Sequence, residues 1–186
     1  MIEHVLVGVA LVAGLGGGYL LARSRLHLRH GRAEPVHRIL LPFTGTEIST
    51  RAVDAALRLA RAEDAELMPA YLAEVPMRLP LDCAIPKEAR SAMAMLEAIE
   101  QRAAGQGVPV DARIERGRSY RHALARLLEA ESVDRVVVPA GDSDGSEGLA
   151  GEDLIWLLEK APAEVVILRP AAEDRKLIRA AAVNGH

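Results

Sequence analysis

The sequence has few of the residues that build disulfide frameworks or base-stacking surfaces. Its 186 residues include one Cys, one Trp, one Phe and three Tyr. The single cysteine, Cys83, excludes an intrachain disulfide scaffold, and an aromatic content of 3% leaves little to stack against bases. The formal net charge of -3 also argues against a nucleic-acid binder, which normally carries a basic surplus. We therefore expect no nucleic acid among its partners.

The first 22 residues contain an uncharged apolar run, 5–22. As a helix this run would be about 27 Å long, which matches the hydrocarbon core of a bilayer. Arginines follow it, at 23, 25, 29 and 32, so the positive-inside rule predicts an outside N-terminus and a cytoplasmic remainder. A cleaved signal peptide would carry its charge before the run, and a buried helix of a soluble domain is the other alternative. We expect residues 1–22 to be a single transmembrane helix.

Almost all basic residues are arginines rather than lysines, and alanine is abundant. This composition is typical of a GC-rich bacterial genome, so we expect the helix to lie in a bacterial inner or plasma membrane. Residues 23–36 read as a basic linker, in which each arginine near an anionic leaflet contributes about 1 kcal/mol of attraction. No carboxylate or cysteine completes a ligand set with its histidines, so we expect no metal there.

The predicted membrane helix carries small residues at Ala10, Gly14 and Gly18. They are four residues apart and so lie on one helix face, and such faces allow two membrane helices to approach closely. The alternative is that glycine is simply common in membrane helices. These three residues are our candidates for packing against an integral membrane protein or a second copy.

From residue 37 onward, short apolar runs alternate with segments of helical periodicity. Strands are predicted at 38–43, 66–73, 110–115, 133–140 and 164–168, with helices after Ser49 and at 87–104, 119–130 and 153–160. Pro69 inside the second strand predicts an edge position or a bulge. The alternation predicts a doubly wound α/β domain with a five-stranded parallel sheet over residues 37–170. A charged tail, 171–186, follows as a short helix or a disordered segment.

Ligands of doubly wound folds bind at the carboxyl ends of the strands. The candidate functional loops are therefore those at the carboxyl ends of the strands next to the topological switch point. They follow the first strand, at 44–47, and the fourth strand, at 141–151.

Three segments of this domain resemble the universal stress protein family. They are Ile39–Glu47 (ILLPFTGTE), Val136–Gly141 (VVVPAG) and Lys160–Pro170 (KAPAEVVILRP). The resemblance covers about residues 37–170 and includes the order of all five strands. It implies a strand order of 3-2-1-4-5, frequent homodimerisation through the last strand and, in one branch, ATP bound at the two loops.

The phosphate loop departs from the pattern of the ATP-binding branch, G-x2-G-x9-G-[ST]. In that pattern backbone N–H groups and a helix N-terminus hold the phosphates. Gly151 stands at the final glycine, Glu152 replaces the hydroxyl residue, and Gly141 fits the first glycine only if the loop is shortened. Thr44, next to Gly45, stands where the family usually has an Asp that contacts the nucleotide. The resemblance therefore marks a degenerate nucleotide site formed by Thr44, Gly45, Gly141, Gly151 and Glu152.

Acidic residues crowd the second loop, and no Lys or Arg lies between Arg135 and Lys160. Two like charges about 4 Å apart repel by roughly 1 kcal/mol in water and about 4 kcal/mol at an effective dielectric of 20. We therefore expect no bound cofactor, with ATP as the alternative. The segment Asp142-Ser143-Asp144-Gly145 lacks the remaining ligands of a calcium loop, so no metal is expected.

No nucleophile–base motif is present, so we expect no enzyme activity. His122 reads as a helix-surface residue. A run of arginines, at 113, 116, 118 and 121, either binds a phosphate or an acidic partner, or forms an ion-paired face with Glu115.

Two functions remain. The first is a membrane-anchored, non-catalytic regulatory or accessory subunit of a membrane protein complex, such as a transporter. The connection 75–86 and the edge of the last strand would be its contact surfaces. The alternative is an ATP or AMP sensor with a modified phosphate loop.

Overall fold

The computed structural model of the chain describes residues 36–45, 47–140, 149, 151–169 and the backbone of 177–179. Within them the element order is β1 (Arg38–Phe43), β2 (Glu47–Ser49), α1 (Thr50–Glu63), β3 (Glu66–Glu74), α2 (Pro86–Ala104), β4 (Arg113–Gly117), α3 (Tyr120–Ala130), β5 (Arg135–Pro139), α4 (Gly151–Lys160), β6 (Glu164–Leu168) and β7 (Leu177–Arg179).

Five of these strands form a parallel sheet in the order β4-β3-β1-β5-β6. Numbered along the chain, these five strands have the predicted order 3-2-1-4-5, and helices alternate with them as expected for a doubly wound fold. Strands β4 and β6 are the two edges. The α/β prediction is confirmed for this part of the chain.

A second sheet, which the sequence pattern did not predict, consists of β2 and β7. The two strands pair antiparallel, with Ile48 opposite Ile178. The tail prediction of a short helix or disorder is therefore wrong for residues 177–179. Strands of three residues are too short to show an alternating pattern, and their pairing depends on a distant segment.

The core has two layers, one on each face of the parallel sheet. On one face, α1 and α2 cover the sheet with Val53, Leu57, Met95 and Ile99 among their buried residues. The buried residues of the other face include Leu124 and Leu127 of α3 and Leu157 of α4. Each helix thus buries an apolar stripe at the spacing of about 3.6 residues on which the prediction rested.

Two serines, Ser49 and Ser119, cap the helices that follow them. The hydroxyl of Ser49 accepts a hydrogen bond from the Ala52 N–H at 3.5 Å, and that of Ser119 accepts one from the His122 N–H at 3.2 Å. Such caps satisfy N–H groups that have no partner inside the helix. They set where α1 and α3 begin, immediately beyond the sheet.

Pro69 lies in an interior strand, so the expected edge position or bulge is wrong. Leu67 turns its polar groups toward the β4 side, where it bonds Pro109 and Asp111. Pro69, two residues further on, faces the same side at a place where residues 111–112 form no strand. The register is unchanged from the Leu67–Val110 bridge to the first β4 pair. Pro69 therefore leaves the ladder between β3 and β4 without one hydrogen bond, but β3 contains no bulge there.

Ion pairs close the amino end of the sheet. Asp134 accepts hydrogen bonds from the backbone N–H groups of His37 and Arg38 at 2.8 and 2.9 Å. The Arg38 guanidinium pairs with Glu66 at 2.9 Å and with Glu131 at 2.8 Å. These contacts pair the charges of Arg38, Glu66 and Glu131 at the end of the sheet opposite to the one where doubly wound folds bind ligands.

No helix within the described residues is long and apolar enough to cross a membrane. The predicted anchor, 1–22, and the linker 23–36 except its last residue lie outside those residues. The anchor, including Ala10, Gly14 and Gly18, therefore stays a prediction.

Candidate functional site

The loop after β1 lies at the carboxyl end of the sheet, where the sequence placed it. Thr44 is buried directly after β1, and Gly45 has a φ of 74°, which an L side chain rarely adopts. Beneath them the rings of Phe43 and Tyr71 meet edge to face with centroids 5.6 Å apart. Thr44 and Gly45 thus directly follow the end of β1, where Phe43 packs against Tyr71.

The second loop returns to the sheet next to the start of α4. Ala140 pairs with Leu149 in a single bridge and donates its N–H to the Leu168 carbonyl at 2.8 Å. Gly151 is the first residue of α4, where a Cβ would meet no atom within 4 Å. Gly141 lies outside the described residues.

Arg121 supplies a positive charge to the start of α4, although no Lys or Arg lies near the acids there in the sequence. Its guanidinium lies 2.5 Å from Asp153 and 3.5 Å from the almost fully exposed Glu152. The arginine belongs to α3, which starts at the same end of the sheet as α4. The two acids at the start of α4 therefore have a cationic partner, and the predicted repulsion of a phosphate is smaller than their number indicates. The contact could not be predicted from the sequence, because it depends on the first turns of α3 and α4 lying next to each other.

The other arginines of the predicted cluster have separate partners. Arg113 pairs with Asp111 at 2.8 Å and Arg116 donates to the Asp82 carbonyl at 3.3 Å. Glu115, the expected partner, pairs instead with Arg126 at 3.5 Å. The arginines at 113, 116, 118 and 121 thus form an ion-paired and hydrogen-bonded face rather than one phosphate site.

Arg118 holds the connection after β3 in place, a role that sequence reasoning missed. One of its amino groups donates to the carbonyls of Val75, Pro76 and Leu79 at 3.3, 2.7 and 2.8 Å. Val75 also donates its N–H to the Gly117 carbonyl at 2.8 Å. The proline-rich connection is thereby tied to the end of β4.

The phenols near this end of the sheet are held neutral. Burial raises the pKa of Tyr120, and Glu74 and Asp153 add to the effect. Burial likewise raises the pKa of Tyr71, with Tyr120 and Glu88 contributing. A neutral phenol can donate a hydrogen bond but cannot act as a base.

His122 lies on the exposed surface of α3, as predicted. Its Nδ1 accepts a hydrogen bond from the Arg118 N–H at 3.1 Å. That bond occupies one of its two ring nitrogens.

No three His, Cys, Asp or Glu side chains in the described part of the chain are placed to hold a metal ion. The segment 142–145 lies outside that part. The candidate donors at the carboxyl end include the Thr44 hydroxyl and the Arg121 guanidinium.

The sequence profile of the universal stress protein family matches residues 35–177. This chain belongs to that family. The match ends at residue 177, which is the first residue of β7. The chain has no match among curated protein sequences.

Solved universal stress proteins share the fold at low sequence identity. One from Burkholderia pseudomallei is 22% identical with a TM-score of 0.55, and the match covers 75% of this chain and 99% of that one. Another, in complex with cAMP, is 20% identical with a TM-score of 0.56, covering 74% and 100%. A third, from Arabidopsis thaliana with AMP bound, is 14% identical with a TM-score of 0.51, covering 74% and 94%.

Proposed function

We propose that this universal stress protein is a non-catalytic regulatory or accessory subunit, anchored by residues 1–22 to a bacterial inner or plasma membrane. Its domain would act in the cytoplasm on an integral membrane protein. The observation that carries the proposal is an apolar surface on α4 and β6, which favours protein contact over chemistry.

That surface consists of Ile155, Leu158 and Ile167, which we call the α4–β6 patch. Their exposed fractions are 60, 59 and 40%. Ile155 and Leu158 are three residues apart and share a side of α4. Ile167 alternates with Val166 and Leu168, which pack on the α1–α2 face, so Ile167 points to the face that α4 covers.

The free edge of β6 adjoins the patch. The Glu164 N–H donates to Asp134, and the Leu168 carbonyl accepts from Ala140, so both residues bond toward β5. Val165 and Ile167, in the alternate positions, therefore direct their backbone groups toward the open edge. An exposed edge with apolar side chains is a template for another strand. We propose that two copies pair there, and that the connection 75–86 contacts the membrane partner.

The absence of catalysis in this proposal is supported by the chemistry at the carboxyl end. Tyr71 and Tyr120 have raised pKa values, Asp153 is held by Arg121, and His122 accepts a backbone N–H. No described group there combines a free basic atom with a nearby nucleophile.

The membrane role is tested by affinity purification of the tagged full chain from detergent-solubilised bacterial membranes. We expect the chain in the membrane fraction together with a stoichiometric membrane protein. Replacing Gly14 and Gly18 by Leu should lower recovery of that protein at least fivefold while leaving the chain in the membrane. Replacing Leu11 and Leu15 by Ile, elsewhere on the helix, is the matched control. Full recovery with the glycine variant would contradict the helix-packing role, and a chain in the soluble fraction would contradict the anchor.

A nucleotide sensor is the second candidate, favoured by Arg121 at the start of α4 and by the solved relatives that hold cAMP or AMP. Thr44, Gly45 and the N-terminus of α4 would hold the ligand, as in the degenerate site described above. Removing Arg121 would leave Glu152 and Asp153 facing a phosphate without a cation. A loss of about 1.4 kcal/mol, a tenfold weaker affinity, would follow.

Calorimetric titration of the full chain in detergent with ATP, AMP and cAMP, each with Mg²⁺, decides between the two. If the chain is a regulatory subunit without a nucleotide ligand, we expect it to bind none of the three nucleotides more tightly than millimolar. Micromolar binding that Arg121→Gln weakens tenfold would establish the sensor instead. Arg126→Gln is the matched control, because it removes the same charge from the same helix at the Glu115 pair.

A further inference from the structure

A small pocket between α1 and the end of β6 serves neither proposed function. Its volume is about 120 Å³. The described residues that line it are Arg51, Ala52, Ala55, Arg58, Leu168 and Arg169. Half of these residues are arginines and none is acidic, an unusual balance for a chain with a net charge of -3.

Two of the three guanidinium groups have no counter-charge bonded to them among the described residues. These are Arg58 and Arg169, both exposed. The acid closest to Arg58 along α1 is Asp54, whose two oxygens bond Arg102, one of them at 2.8 Å. Arg102 is the main cause of the lowered pKa of Asp54, and Arg58 contributes only at a distance. Arg51 has a partner of its own, and the positive balance of the pocket does not depend on it.

The surroundings of the pocket strengthen its attraction for anions. The first turn of α1 contains no acidic residue, so the positive end of the helix dipole is not neutralised there. Ala52, Ala55 and Leu168 provide apolar walls, and a charge attraction is stronger beside apolar walls than in open water. Like charges that line one pocket repel each other, and a bound anion relieves that repulsion.

We propose that this pocket binds a phosphate group carrying two or more negative charges. Planar guanidinium groups match phosphate oxygens in geometry and charge. The volume is about that of four water molecules, which accommodates one phosphate or part of a pyrophosphate. It is well below the roughly 300 Å³ at which pockets for whole small-molecule ligands begin.

The pocket shares no lining residue with the candidate nucleotide site. Leu168 packs on the face of the sheet that α1 and α2 cover, whereas α3 and α4 cover the other face. Arg121 and the start of α4 belong to that second face. The phosphate would come either from a soluble phosphate compound or from the headgroup of an anionic lipid.

Titration of the full chain in detergent with pyrophosphate tests the pocket. We expect saturable binding that the double variant Arg58→Gln/Arg169→Gln weakens at least tenfold. The matched control is Arg61→Gln/Arg90→Gln, which removes the same charge from two exposed positions on α1 and α2 that do not line the pocket. It should change the affinity less than twofold, and Arg121→Gln should leave it unchanged.

The source of the phosphate follows from competition. Phosphatidic acid in mixed micelles of phosphatidylcholine and detergent displaces pyrophosphate if a lipid headgroup is the ligand, and leaves it bound if a soluble compound is. Three results would overturn the proposal: no pyrophosphate binding, an equal loss in both double variants, or loss only with Arg121→Gln. The last result would assign the binding to the nucleotide site. Fluorescence of Trp156 confirms that each variant remains folded.

Discussion

Replacing Gly117 by Ala is expected to destabilise the domain by about 3 kcal/mol. Gly117 ends β4 beneath the first turn of α3, and a Cβ there would lie 2.3 Å from the Ala123 nitrogen and 2.7 Å from the Ser119 carbonyl oxygen. Both contacts are with backbone atoms, which cannot rotate away as a side chain can. Either α3 moves off the sheet or the end of β4 shifts, and both changes disturb the buried packing of Ala123 and Leu124.

Two other glycines provide graded controls for this prediction. At Gly105 a Cβ would lie 3.6 Å from the nearest atom, which is an ordinary contact, so Ala should be neutral or stabilising by up to about 1 kcal/mol. At Gly107 nothing lies within 4 Å, but φ is 69°, so Ala should cost about 1 kcal/mol through the backbone alone. Urea unfolding of the full chain in detergent, followed by Trp156 fluorescence, measures all three. A Gly117→Ala value within 1 kcal/mol of Gly105→Ala would contradict the close packing of α3 on β4.

Disrupting the β6 edge is expected to weaken self-association at least 30-fold, or about 2 kcal/mol. Ile167→Pro removes an N–H that faces the open edge, while the bonds of Glu164 and Leu168 toward β5 remain. Ile155→Gln with Leu158→Gln removes the apolar area of the α4–β6 patch and leaves the strand intact. The two variants test the edge and the patch independently, and the second remains informative if the proline variant fails to fold.

Sedimentation of the full chain in detergent measures this association. The background carries Gly14→Leu and Gly18→Leu, so that packing of the predicted membrane helices does not hold two copies together. Met77→Gln with Met93→Gln is the matched control, since these residues are 80 and 55% exposed but lie outside the α4–β6 patch. Unchanged association in both test variants, or equal weakening by the methionine variant, would show that β6 is not the contact.

Much of the domain could be predicted because its signals are local. The segment Arg38–Phe43 is mostly apolar and is followed by turn residues, and β1 has the predicted bounds. Ser49 and Ser119 precede apolar positions at helical spacing, and each caps its helix. Alternation of such segments determines a parallel sheet, because a crossover helix is the short way to join parallel strands.

Other features could not be predicted because they join distant parts of the chain. Pro69 indicated an edge, but the sheet places its missing N–H where the ladder toward β4 is interrupted. The acids at the start of α4 lacked a cation nearby in sequence, and Arg121 reaches them from α3. Arg169 lies far along the chain from Arg51 and Arg58, so no motif marks the pocket between α1 and β6.

The sequence by itself determined the α/β class, because periodicity and turn residues act over a few neighbours. The family and the order of the five sheet strands were predicted from the resemblance of three segments. The sequence also carries the prediction of a membrane anchor, from the length of one apolar run and the arginines after it. Only the tertiary structure decided which charges pair, which apolar residues stay exposed on α4 and β6, and which glycine lies against a helix backbone. These properties depend on distances between segments, and the packing of helices on the sheet sets those distances.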